Sequence, residues 1–193
     1  TRYLKLRGIN EETIKFWEIG YCPIGHKRYK KLKGRITFPV KNQNGIIVTI
    51  TGRKVFDTLP GPKYDMYPFP ARKILFGLWQ NKKNIREQGR AIVTEGQLDV
   101  ITAWQKGLKI VTSTFGAHGT LWHLGLLARY AKRLDILYDN DNAGFEGVEG
   151  IKKLSTLGDL DIRFQNNIFP KGEDLDSWIK NHSLEELFTL LDQ

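Results

Sequence analysis

Cysteine is almost missing: Cys22 stands alone in 193 residues. One thiol cannot close an internal disulfide or supply the thiolates of a Cys-rich zinc site. Long apolar runs are missing as well. No stretch approaches the roughly 20 residues of a membrane-spanning helix, and no charged leader with an apolar core marks a signal peptide. The expected location is the cytoplasm, with no membrane partner. Negative charge is scarce, with 21 Asp and Glu against 30 Lys and Arg, a net charge of +9. Such a surplus favours a polyanionic partner, because contacts to phosphates release counterions. Solubility is the other account of it.

What is present is an ordinary globular balance, 40% apolar and 26% charged, enough for one large domain or two small ones. The basic surplus lies early, with clusters at Lys27, Arg28, Lys30, Lys31, Lys33, Arg35 and at Arg72, Lys73, Lys82, Lys83. The acidic clusters fall between residues 95 and 176. Residues 1 to 22 read as a short helical start, capped by Asn10 and ended by Gly20. Arg35–Val40 and Ile46–Thr51 read as a hairpin. Residues 57 to 71, rich in proline, read as an irregular loop holding Lys63 and Tyr64.

From about residue 90 strands and helices alternate. Ala91–Thr94, Lys109–Thr112, Leu134–Tyr138 and Leu160–Phe164 read as strands. Helical patterns follow Gly96, run from Leu121 to Tyr130, begin again after Ala143, and close the chain from Ser183, which forms a capping box with Glu186. This alternation predicts a parallel sheet with helices on both faces. The fold class is α/β in two lobes: a basic amino-terminal α+β lobe over 1–87 and a parallel-sheet domain over 88–193.

Three acidic groups stand just past predicted strand ends: Glu95, then Asp139 with Asp141, then Glu173, Asp174 and Asp176. Parallel strands end on one edge, where such folds bind ligands. Alternation aims Asp139 and Asp141 the same way. Carboxylates crowded together repel unless cations bridge them, and oxygen donors suit Mg²⁺ or Mn²⁺. Two such ions are the recurring device of in-line phosphoryl chemistry. A solvated turn rich in Asp and Asn is the plainer reading of any one group. Gly116 and Gly119, in the turn Phe115–Gly119, are weak candidates to cradle phosphate. His118 reads as a loop residue; Trp104 and Trp122 lie on helices and read as core, with stacking on a base as the alternative.

Glu95-Gly-Gln-Leu-Asp-Val100, Tyr138-Asp-Asn-Asp-Asn-Ala-Gly144 and Gly172-Glu-Asp-Leu-Asp176 resemble the three motifs of the TOPRIM domain. Arg35-Ile-Thr-Phe-Pro-Val40, Gly52-Arg53, Pro62-Lys63-Tyr64 and Phe76-Gly77-Leu78 resemble segments of the DnaG-type primases of bacteria and their phages. Tyr3–Ile9 and Ile19–Pro23 resemble the opening of their RNA polymerase core. The resemblance spans nearly the whole chain. It implies template-directed synthesis of short RNA primers from ribonucleoside triphosphates on single-stranded DNA. It implies metal binding by Glu95, Asp139, Asp141, Asp174 and Asp176, with Glu95, Asp139 and Asp141 catalytic and Asp99 an outer member. It also implies that Arg35, Arg53 and Lys63 hold template, nucleotide or primer, with Arg72 or Lys73 standing in where Ala71 replaces a family lysine.

Asn140 and Asn142 depart from the family's Asp-Gly-Asp-Arg form, which removes one charge contact and no metal ligand. A zinc-binding module and a helicase-binding domain, parts of full primases, are not recognised here. The expectation is a minimal phage or mobile-element form, or an excised fragment whose partners include a zinc module and a replicative helicase. Two rivals remain: a TOPRIM nuclease using the same carboxylates, and a non-catalytic nucleic-acid-binding module with a degenerate metal site.

Overall fold

The structure, a computed structural model, describes residues 2–116, 119–138, 160–165, 168–170 and 173–193. The chain divides into two compact units, Thr1–Phe69 and Pro70–Gln193.

The first unit opens with α1 (Arg2–Leu6) and α2 (Glu11–Phe16). The Asn10 carboxamide starts α2 by accepting from Thr13 N–H at 2.8 Å, and Glu11 and Glu12 face its positive end. An antiparallel sheet follows in the order β1 (Gly20–Cys22), β2 (Arg35–Lys41), β3 (Ile47–Lys54), β4 (Tyr64–Met66). The β2–β3 hairpin was legible; β1 and β4 were not. The expected irregular loop over 57–71 contains β4, paired with β3 through Thr51↔Met66 and Arg53↔Tyr64. An open edge of β3 leaves unpaired backbone groups, and a short strand between flanking prolines satisfies them. β2 buries Ile36, Phe38 and Val40 on its inner face.

The second unit holds α3 (Leu78–Gln88), β5 (Arg90–Thr94), α4 (Gln97–Gln105), β6 (Val111–Ser113), α5 (Leu121–Leu127), β7 (Arg133–Ile136), β8 (Asp161–Phe164), α6 (Leu175–Asn181) and α7 (Leu184–Leu191). Its four described strands lie in the order β6-β5-β7-β8, and every pairing is parallel. Ala91, Ile92, Val93 and Thr94 are buried in succession, so both faces of β5 are covered, as a parallel sheet requires. α3 belongs to this unit. Phe76 exchanges two backbone hydrogen bonds with Ser113 at 2.9 and 3.1 Å, and the buried Asn81 donates to Val111 O at 2.7 Å. These contacts seal the outer edge of β6.

One face of this sheet is tied by charge. Asp135 on β7 is fully buried and accepts from Arg90 Nε at 2.6 Å, Arg133 Nη2 at 2.9 Å and Gln165 Nε2 at 3.2 Å. Arg133 also donates to Leu191 O at 2.7 Å and pairs with Asp192, which fastens α7 to the strands. α7 starts with the expected capping box, Ser183 N–H donating to the Glu186 carboxylate at 2.7 Å.

Candidate active site at the carboxyl ends of the parallel strands

The carboxyl end of the sheet is where the sequence placed its chemistry. From β5 the chain crosses to β6 on one side and then returns to β7 on the other. The strand order therefore reverses beside β5, and such a switch point opens a crevice at the carboxyl ends. Glu95 directly follows β5 and is half-buried. The turns after three adjacent strands are laced around it. Gly116 N–H donates to Glu95 O at 3.0 Å, Thr114 N–H to Thr94 O at 3.2 Å, and Leu137 N–H to Val93 O at 2.8 Å. Phe115 is held at φ 61°, costly for a non-glycine residue, with its ring edge-on to Phe76 at 6.2 Å.

Tyr138 closes this group. Its hydroxyl lies 3.0 Å from Thr114 Oγ1. Burial pushes the phenol up to about 12, and the Glu95 charge adds to this, against hydrogen bonds from Thr114 and Gly119. The side chain therefore stays neutral at physiological pH and acts as a hydrogen-bonding wall, not as a base.

The Glu95 turn has a structural partner. Asp99, expected as an outer metal residue, lies in the first turn of α4 and accepts from Gly96 N–H at 3.1 Å. A Cβ on Gly96 would come within 2.6 Å of that carboxylate, which would have to shift away from the Gly96 N–H. Asp174 caps α6: its carboxylate accepts from Ser177 N–H at 2.8 Å, and its own N–H donates to Ser177 Oγ at 2.9 Å. Asp176 is 2% exposed and accepts from Lys180 Nζ at 2.9 Å. α6 packs on α4, the helix that starts beside Glu95. Asp139 and Asp141 lie outside the described residues, as do His118 and Gly172. Among the described residues no three His, Cys, Asp or Glu side chains gather closely enough to hold a metal ion. The donors expected here are all carboxylate oxygens, a set that fits a hard divalent ion; of these, Asp176 is paired with Lys180.

The basic residues separate into three kinds. Arg35, expected on a phosphate-binding face, is 2% exposed. Its guanidinium donates to the carbonyls of Pro62 at 2.9 Å, Gly52 at 3.3 Å, Pro60 at 3.3 Å and Lys63 at 3.4 Å. It braces the 60–63 turn from inside. Gly52 and Gly61 let the backbone approach it: a Cβ on Gly52 would meet the Arg35 stem at 3.0 Å, and Gly61 has φ 90°. Arg53 is stacked between Tyr3 and Tyr64, 5.4 and 5.1 Å from their ring centres, and donates to the Tyr64 hydroxyl at 3.1 Å. Lys63, Arg72 and Lys73 are exposed, as are Lys27, Arg28, Lys30 and Lys31.

Two more residues lie around Arg72 and Lys73, and the sequence reading missed the first. His123 is buried and its Nε2 lies 3.0 Å from Ala71 O, joining α5 to the turn that carries both cations. Burial lowers its pKa, against hydrogen bonds to the Ala71 and Ile74 carbonyls. Trp122, expected in the core, is 64% exposed. The spacing of His123, Leu124 and Leu127 defines the buried face of α5 and puts Trp122 off it, a signal the sequence carried.

Residues 92–179 match the family described as Toprim-like. The second unit thus has the Toprim-like parallel sheet, with Glu95 at its switch point. Over its whole length the chain is related to bacterial DNA primases. It is 27% identical to that of Aquifex aeolicus over 99% of this chain and 44% of the relative, and 30% identical to that of Listeria monocytogenes over 92% and 33%. The solved Aquifex aeolicus primase with its zinc-binding and RNA polymerase domains superposes with a TM-score of 0.86 at 26% identity, over 99% of this chain and 54% of that one. A DnaG primase catalytic domain solved bound to single-stranded DNA superposes at 0.87 with 25% identity, over 100% and 70%. The chain is a relative of the DnaG-type primases and has the fold of their catalytic core. It spans between a third and under a half of the length of the two curated relatives. No helix among the described residues is long and apolar enough to cross a membrane.

Proposed function

We propose that this chain is the catalytic core of a primase, joining ribonucleotides into short RNA primers on a single-stranded DNA template. The observation that carries this reading is the agreement of both units with a solved primase core bound to single-stranded DNA, over the full length of this chain. Glu95, Asp139, Asp141, Asp174 and Asp176 would hold Mg²⁺ or Mn²⁺, two ions in all. When bound, these would offset triphosphate charge and lower the pKa of the attacking 3′-hydroxyl.

The other steps fall to this chain's own groups. Lys63, Arg72 and Lys73 are exposed cations available to phosphates. Arg35 acts at one remove, by bracing the turn that presents Lys63. The Asp99–Gly96 contact holds the turn that aims Glu95. A full enzyme would add a zinc-binding module and contact a replicative helicase, and would work in the cytoplasm.

The test is incubation with single-stranded DNA, labelled ribonucleotides and either metal, with products resolved by length. Short ribonucleotide products from the parent, lost in Glu95→Gln with DNA binding nearly intact, support the reading. Cleavage of the strand without incorporation would make the chain a Toprim-type nuclease. Full synthesis by Glu95→Gln would refute the catalytic assignment.

A further inference from the structure

The turn from Ala71 to Lys73 and the start of α5 build an exposed surface that the metal chemistry does not use. Trp122 is 64% exposed, and Leu121 beside it is 46% exposed. The Lys73 ammonium stands over the indole, 4.7 Å from the ring centre. The arrangement is locked from behind. Thr120 Oγ1 donates to Arg72 O at 2.8 Å, and the buried His123 ring reaches Ala71 O at 3.0 Å. The backbone segments that carry the two exposed cations and the exposed indole are therefore tied together.

An indole this open is costly to leave in water. A second exposed pair, Trp79 with Lys82 at 4.0 Å, lies within one turn of α3. We infer that Trp122 is a stacking platform for an unpaired base of a single-stranded polynucleotide, with Lys73 and Arg72 holding the phosphates that flank it. Charge complementarity selects this occupant. A protein of net charge +9 presents Lys73 over the ring, with Arg72 exposed on the same turn, and no acidic residue occurs between Ala71 and Leu78 or between Thr114 and Asp135. Base stacking on an aromatic ring is tolerant of sequence, as a template-reading enzyme requires. The inference deepens the primase reading and takes the identity of its ligand from it.

The test measures anisotropy of a labelled dT oligonucleotide, and of the same oligonucleotide with abasic sites, titrated with the full chain at several salt concentrations. Trp122→Ala should weaken binding of the dT strand by about 5- to 100-fold and leave the abasic strand nearly unaffected. Trp122→Phe should recover most of the loss. Lys73→Gln should flatten the dependence of log affinity on log salt by about 0.7 to 0.9. Trp79→Ala, a control for loss of a surface indole, should bind within about twofold of the parent. Equal affinity of parent and Trp122→Ala for the dT strand overturns the inference. A parent that binds through Trp122 yet makes no primers keeps the platform and removes the primase reading. A parent that makes primers while Trp122→Ala binds normally does the reverse.

Discussion

Arg35 offers a sharp separation between what a motif suggests and what a fold does with it. As a phosphate contact, its removal should cost salt-dependent affinity and little stability. As an internal brace, it should do the opposite. Arg35→Met keeps the apolar stem and deletes the guanidinium. Four donated bonds are lost, one short at 2.9 Å and three long at 3.3, 3.3 and 3.4 Å. The short charged bond is worth roughly 1.5 kcal/mol and each long one roughly 0.5, because the exposed 60–63 turn recovers part through water. The total is about 2–3 kcal/mol, or a rise of about 30- to 150-fold in the opening of the β3–β4 pairing. Hydrogen exchange of the Lys54 amide, which donates to Lys63 O across this pairing at 3.0 Å, reads that opening directly. The salt dependence of single-stranded DNA binding should change by less than about half a unit, against a fall of about 0.7 to 0.9 for Lys63→Gln. If Arg35→Met left exchange unchanged and flattened the salt slope by a full unit, the brace would be wrong and Arg35 would be a direct phosphate ligand.

Two further outcomes are expected. Asp135→Asn removes a fully buried charge from between Arg90 and Arg133, whose side chains are 13% and 19% exposed. Breaking a buried pair costs about 3–5 kcal/mol. Because both arginines keep Asp192, the expected loss is nearer ~2–3 kcal/mol, read from urea midpoints, and a loss under ~1 would discount the cluster. His123 has a lowered folded pKa, so the unfolded chain takes up the proton first. Its contribution to stability is complete above about pH 6.5 and is lost as pH falls from there towards the folded value. His123→Gln, which can still reach Ala71 O, should remove that part of the slope; identical slopes in the two proteins would contradict the buried neutral ring.

Much of this protein is written in short-range pattern. Caps at Asn10 and Ser183, the β2–β3 hairpin and the alternation of apolar strands with helices from residue 90 depend on neighbours within a few positions, so each is legible in one dimension. The placement of Glu95 just past a central parallel strand follows from the same alternation. Other features depended on partners far along the chain. Arg35 is internal only because carbonyls 17 to 28 residues away close around it, and no local pattern announces that. β4 exists because β3 left an edge to fill, and α3 joins the second unit because Asn81 and Phe76 complete β6. Trp122 and Lys73, 49 positions apart, become one surface only when α5 settles on the turn before α3. Residue type and spacing determined which elements form; the long-range closing of backbone hydrogen bonds decided which charges stay inside and which reach the solvent.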